Sequence, residues 1–424
     1  MKIPIKNNVL FIFLSIIPVV SLFIGFNINE DLSTGGSNYD FNLTWPIIVD
    51  YSNLNFEGAN GHIPTVHMPL HYVLLSIIYS LFDNQYSVRL FYIFFSFLLP
   101  IFLYLNLIKI YSQNKFLLII FSLSFLFIPL LRASAIWSNS HLTAVIFFLI
   151  GNYFYLRSKE KNIFLYKILN LLFLSFAIYS LQTYLILYLY YLCRYFSSEK
   201  FNNFLKLFVF GGLLALPGLF FILLNPRVAA VGTYITQDFF YTISTNFSII
   251  FLFLSFLLFN KQNLLIFFNE IKTLKKIEII IIFLLLSFSF YFQDFFISNI
   301  NIKYGIKYGG GFFYKVSYFI FNNNLIFIIS SLLGIITSYV LVKLEPKFLY
   351  TLVIINLMNL NYVVFQKYFE PLFLIIVIIL FKNFLVSNIL MNVKNVLVFY
   401  GAMFLYFVVA YINYFNKYSF QVIG

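Results

Sequence analysis

Two regions of this chain carry side chains able to do chemistry. The first is residues 27–68, NINEDLSTGGSNYDFNLTWPIIVDYSNLNFEGANGHIPTVHM, which hold Glu30, Asp31, Asp40, Asp50 and Glu57 and no Lys or Arg. A carboxylate near an apolar boundary tends to a raised pKa, which improves it as a proton acceptor. The stretch closes on His62, His67 and, just beyond it, His71. Pro69 suits the first turn of a helix, so His67 stands at a helix entrance. Helix entrances draw anions, phosphate above all. His67 also has the option of a metal site with His62, whereas His62 and His71 read better as interfacial hydrogen-bonding groups. The second region is NIKYGIKYGGGFFYK, with Lys303, Lys307, Lys315 and the run Gly309–Gly311. Glycines let backbone approach a phosphate closely. The run lacks the Gly-Lys-Ser/Thr ending of a nucleotide loop, and lysines at lipid head groups are its plainer reading. Lys367 and Glu370 in QKYFEP share a helix face as a binding pair or a salt bridge. Gln182 and His141 stand at turns, as ligand contacts or as helix caps.

The elements that position these groups are read from composition. Hydrophobic residues make up 62% of the 424 and charged residues 10%, with a mean hydropathy of +0.92. So few charges do not make a soluble surface. Apolar runs of spanning length recur from Val9 to Tyr414. The expectation is an all-α polytopic membrane protein, one integral domain over 1–424 with about 13 transmembrane helices. The amino end reads as an uncleaved first span. The net charge of +13 belongs to basic cytoplasmic loops, not to nucleic-acid binding. The single cysteine, Cys193, excludes a disulfide framework within the chain. With the basic turns 109–115, 157–161, 193–200, 260–276 and 343–347 inside, the segments 27–68, 132–141, 178–184, 225–238, 293–315 and 366–371 fall outside. The polar chemistry thereby gathers on one face. WPIIVDYSNLNF reads either as an interfacial amphipathic helix with Trp45 and Phe56 toward lipid or as part of a solvated acidic loop. The apolar segment 69–83 is short for a span, so either it is re-entrant or tilted, or one basic loop departs from the inside assignment.

HMPLHYVLL…LFDNQYSVRLFY, after one span and an outer loop with an early Asp, resembles the GT-C glycosyltransferases over roughly residues 30–105. The likeness is to the protein O-mannosyltransferase and lipid A aminoarabinose transferase type, whose pattern there is close to HPPLYYLLL…LFG…ALRLPS. LQTYLILY (181–188) and QKYFEPLFLI (366–375) are weakly similar to the dolichyl-phosphate-glucose glucosyltransferases. Met68 stands where the pattern has Pro, His71 where it has Tyr, and Phe41 follows Asp40 where an Asp-Glu pair is common. The resemblance implies a GT-C-like bundle with a large first extracytoplasmic loop, multi-pass in the bacterial inner membrane. It implies transfer of a sugar, with inversion, from a polyprenyl-phosphate donor to a hydroxyl of a glycan, lipid or protein at the outer face. No cofactor is called for, and no metal is assigned. Asp40 is the implied base and Asp31 its runner-up. His67, Arg227, Lys303, Lys307 and Lys315, with Arg132 also on the outer side, are the implied phosphate contacts. Gln182, Lys367, Glu370 and His141 are the implied substrate contacts. An O-antigen-type polymerase or ligase would carry its large outer loop late in the chain. A glycan transporter or flippase would place ionisable groups in mid-span.

Overall fold

The computed structural model describes residues 5–33, 36–61, 67–225, 239–284, 287, 311–359, 366 and 369–421. Every element among them is helical. Among these residues four helices are long and apolar enough to cross a bilayer: Gln85–Ile110, Phe201–Leu224, Leu325–Leu344 and Val393–Ile412. Two sharply bent pairs, Lys115–Phe127 with Pro129–Ile136 and Leu372–Ile379 with Phe384–Leu390, raise the number to six if each is one span. The chain forms two compact units, residues 1–230 with 400–424, and 231–399.

The first unit opens with α1 (Ile5–Asn27), α2 (Gly36–Ser52), α3 (Phe56–Gly61), α4 (Leu70–Phe82), α5 (Gln85–Ser96) and α6 (Leu98–Ile110). The polar stretch after α1 is thus largely helical. Its buried stripe of Ser37, Phe41, Thr44, Ile48 and Tyr51 follows the spacing of an amphipathic helix. The chain turns at Leu54, whose φ is 57°, so Trp45 and Phe56 lie on different helices. Trp45 is half-buried with its ring edge-on to Tyr79, and Phe56 is exposed. The short apolar segment becomes α4, 13 residues, or about 20 Å of rise against a hydrocarbon core of about 30 Å. Asp83 ends it in a left-handed conformation, and the Asn84 side chain caps α5 by accepting from Ser87 N.

The unit continues with α7 (Lys115–Leu123), α8 (Pro129–Ile136), α9 (Ser140–Lys161), α10 (Phe164–Ser180), α11 (Leu185–Ser198) and α12 (Phe201–Leu224). An amide ladder ties four of these apolar helices together. Asn106 on α6 donates to Leu149 O, Asn152 on α9 to Asn106 Oδ1 at 2.7 Å, and Asn170 on α10 to Gly151 O at 2.8 Å. From α11, Tyr191 donates to Asn152 and Tyr195 to Asn170. Such side-chain bonds join helices where apolar surfaces alone give little preference between helix and lipid.

The second unit contains α13 (Phe239–Leu258), α14 (Lys261–Lys272), α15 (Gly311–Phe321), α16 (Leu325–Leu344), α17 (Phe348–Met358), α18 (Leu372–Ile379) and α19 (Phe384–Leu390). The last helix, α20 (Val393–Gln421), starts here and enters the first unit at Tyr400. The bend between α18 and α19 is held by Asn383, which donates to Val377 O and accepts from Val386 N. Small residues set the seam between α13 and α16. Ser331 donates to Ser244 O, Ser248 meets Ser330 at 2.7 Å, and a Cβ on Gly334 would stand 2.0 Å from Phe247 O. That obstacle is backbone, so the two helices must part to admit a methyl group. Gly334→Ala is expected to cost about 3 kcal/mol, the upper end for overpacking. Gly212→Ala, with nothing within 4 Å of the new Cβ, is expected to be neutral or to stabilise by up to about 1 kcal/mol. Thermal melting of the two purified variants in detergent checks the contrast.

Candidate functional site

The site in the first unit is built around the turn Ile136–His141. Ser138 takes a left-handed φ of 47° there, and three side chains from α4 and α5 hold the turn's carbonyls. Arg89 Nε donates to Ile136 O at 2.9 Å, His71 Nε2 to Ser138 O at 2.8 Å, and Tyr92 Oη to Asn139 O at 2.7 Å. His71 Nδ1 lies 2.8 Å from Thr143 Oγ1, so a neutral imidazole uses both of its nitrogens within the fold. His71 is therefore a buried strut between α4 and the start of α9. Trp137 Nε1 donates to Glu30 O at 2.9 Å, which ties the strap after α1 to the same turn.

Beside this turn opens a polar cleft of about 480 Å³, lined chiefly by Asn29, Asn38, Asn42, Gln85, Arg89 and Trp137. Asn29 sits in a left-handed conformation with φ 53°, and its Oδ1 accepts from Arg89 Nη1 at 3.0 Å. The Arg89 guanidinium is flanked by two aromatic rings, Trp137 at 3.8 Å and Phe26 at 5.2 Å. Those contacts suit a cation that has left water.

Asp31 closes one edge of the site. Its Oδ1 accepts from Ser33 N at 3.0 Å and Ser33 Oγ at 2.5 Å, and its Oδ2 from Asn38 N at 2.8 Å. This carboxylate caps the first turn of α2, where a negative charge is favoured. Burial nonetheless raises its pKa above the ordinary 3.8; the Ser33 and Asn38 donors pull it down, and the charge of Asp40 adds to the rise. A carboxyl whose pKa is raised by folding contributes stability that is full below 3.8 and is lost as pH rises through the folded value. Asp31→Asn has no proton to lose there. The melting temperature of the wild type relative to this variant is therefore expected to fall as pH rises above 3.8, as calorimetry over a pH series would show.

Asp40 is half-buried on α2, close enough for its charge to act on Asp31. His67 and His141 also come together, with ring centroids 6.0 Å apart and edge to face. His141 lies in the first turn of α9, its N–H on the capping Asn139 Oδ1. Gln182 is half-buried in the short turn Gln182–Tyr184 between α10 and α11. In the second unit Lys315 is exposed on α15, and Glu370 is buried and accepts from Gln366 at 3.3 Å. Gly311 has a φ of 76°, and a Cβ there would meet Ile249 at 2.8 Å. His62, Arg227, Lys303, Lys307 and Lys367 lie outside the described residues. Arg132 is buried, with its guanidinium on Glu30 and Ser21. Among the described residues no three His, Cys, Asp or Glu side chains gather as a metal site requires.

Sequence reasoning passed over Arg89 and the four carboxamides. The signal for Arg89 was present: an arginine four residues into a long apolar run, where charge is expensive and normally has a purpose. Asn29, Asn38, Asn42 and Gln85 gave none, because asparagine is frequent throughout this chain. No protein-family model matches the chain, no curated protein matches it, and no solved structure matches its fold.

Proposed function

We propose that this protein is a membrane glycosyltransferase of GT-C-like architecture, a bundle of about 13 transmembrane helices working at the outer face of the bacterial inner membrane. The donor is a sugar on polyprenyl phosphate, and the acceptor is a hydroxyl of a glycan, lipid or protein. The acceptor oxygen attacks the anomeric carbon as the bond from that carbon to the phosphate oxygen breaks. The hydroxyl proton passes to Asp40, and the phosphate departs on its lipid. A positioned base of this kind contributes typically about 10²–10⁴-fold. His67, at the entrance to α4, serves the phosphate.

The observation that carries this reading is the polar cleft at the start of a membrane-length helix, with Asp31 bonded to Asn38 on its wall and Asp40 on the same helix, α2. Asn38 links the two: it lines the cleft, and its N–H is held by Asp31, which in turn feels the charge of Asp40. A ligand with many hydroxyls suits carboxamide walls and an aromatic floor. The test is purified full-length protein in nanodiscs, given a panel of radiolabelled polyprenyl-phosphate hexoses and a membrane extract as acceptor. Label transferred from at least one donor is the expected result. No transfer from any donor, by protein that is monodisperse and melts cooperatively, would end the transferase reading.

A further inference from the structure

Among the described residues two arginines are buried in the first unit, and one of them has no carboxylate partner there. Arg132 is 0% exposed and paired with a carboxylate: Nε and Nη2 meet the two oxygens of Glu30 at 2.8 and 3.0 Å, and Nη1 and Nη2 meet Ser21 Oγ and Ser21 O. Arg89 is 8% exposed. Its Nε and Nη1 are used on Ile136 O and Asn29 Oδ1, but its Nη2 is buried with no hydrogen-bond partner. Among the described residues Arg89 forms no ion pair. A guanidinium keeps its charge, and a buried charge without a counter-charge is unfavourable. The fold supplies neutral carbonyl and amide oxygens and two aromatic faces, and leaves the negative charge to a ligand.

The place where that ligand enters is the cleft that Arg89 lines. Its volume of about 480 Å³ falls in the usual range of small-molecule sites, about 300–1,000 Å³, and exceeds the needs of a bare ion. Gln85, on the same wall, is the first residue of α5, so the cleft stands at the positive end of the helix dipole. Asn42 Nδ2 donates to Asn38 Oδ1 at 2.6 Å, which leaves Asn38 Nδ2 to donate elsewhere. Donors then come from Gln85 and Arg89 on α5 and from Asn38 on α2, two elements that line one space. That arrangement suits a tetrahedral oxyanion better than a planar carboxylate.

We propose that this cleft binds a phosphate group, with the buried Arg89 guanidinium as its counter-charge and Asn38 and Gln85 donating from α2 and α5. The phosphate comes on a lipid or on a soluble molecule, since α5 begins a membrane-length helix and its start is within reach of both. The assignment concerns binding alone and does not depend on the transfer reaction.

Trp137 is the reporter. Its ring lies 3.8 Å from the Arg89 guanidinium carbon, and the chain has 2 tryptophans, so Trp45→Phe leaves it alone. Full-length Trp45→Phe protein in maltoside micelles is titrated with glucose 1-phosphate, with phosphatidic acid, and with their neutral counterparts glucose and diacylglycerol. The expected result is a saturable change in emission with a phosphate probe, at a concentration about tenfold or more below that at which its counterpart acts. Arg89→Gln is expected to weaken that response by about tenfold or more. Where Arg89→Gln fails to fold, Asn38→Ala on the cleft wall is expected to weaken it several-fold. A response to glucose 1-phosphate identifies a soluble source, and a response to phosphatidic acid alone a lipid source; either supports the site. Silence toward both phosphates, by protein that melts cooperatively, overturns it. So does an equal response to glucose and glucose 1-phosphate, or a response that Arg89→Gln and Asn38→Ala both leave intact. Since no turnover is read, failure here leaves the transferase reading standing, and the reverse holds too.

Discussion

Asp40→Asn is expected to lower sugar transfer by about 10²–10⁴-fold, and Asp31→Asn by less than about tenfold. The two acids sit nine residues apart and feel one another's charge, yet their surroundings differ. Asp31 is 1% exposed, with both oxygens engaged by Ser33 and by the start of α2. A carboxylate held this way orders a helix end, and its lone pairs are spoken for before any acceptor hydroxyl arrives. Asp40 lies half-buried on the helix that Asp31 caps. In the variant experiment the kcat of transfer is compared with the wild type at matched folding, judged by melting temperature. Neutralising Asp40 also removes one cause of the raised Asp31 pKa, so the pH dependence of stability should weaken in Asp40→Asn even where transfer is not measured. A loss of transfer confined to Asp31→Asn would move the base to Asp31 and make Asp40 the modulating charge.

The helical class and the shortness of the segment after His67 were legible in the sequence, because both follow from hydropathy and from the rise of a helix. Thirteen residues of apolar sequence cannot become a full span whatever their partners, and α4 is that helix. The structure of 27–68 was legible only in part. Its polarity suggested a loop, but the spacing of Phe41, Thr44, Ile48 and Tyr51 is that of a helix with one buried face. The turn at Leu54 rests on a left-handed backbone at a leucine, a conformation that residue type does not announce. The site was least legible where it depends on pairing at long range. Glu30 and Arg132 lie 102 residues apart, and nothing local distinguishes an arginine that has a carboxylate from one that has none. Residue type and the expected outer-side placement made Arg132 a candidate phosphate contact and passed over Arg89. The seam at Gly334 is similar in kind: the glycine is visible in the sequence, but its need is set by Phe247 O on another helix.

That long-range pair sets the largest expected effect on stability. Glu30→Gln is expected to destabilise the first unit by about 3–5 kcal/mol, and Arg132→Met by a similar amount, because each leaves the other's charge buried and uncompensated. The geometry permits no easy escape. A Cβ at Gly25 would meet Glu30 Oε2 at 2.6 Å and Arg132 Nη2 at 2.9 Å, so α1 is already closed over the pair. Phe407 covers the guanidinium at 4.5 Å, and Ser21 takes two further donors. Water has little room to replace either partner. The double variant Glu30→Met with Arg132→Met removes both charges and fills comparable volume. It is expected to recover most of the loss, and replacing a buried pair by apolar side chains is often neutral or stabilising. The double-mutant cycle, read from denaturant or thermal unfolding in one detergent, should give a coupling of at least about 2 kcal/mol. Additive losses would mean that water or lipid head groups reach the pair, and that α1, α8 and α20 are held by packing alone. A large coupling has a structural corollary. The strap Asn29–Asp31 is then anchored through Glu30, which fixes Asn29 against Arg89 on one side and Asp31 against α2 on the other. Glu30→Gln should accordingly weaken phosphate binding in the cleft although Glu30 does not line it.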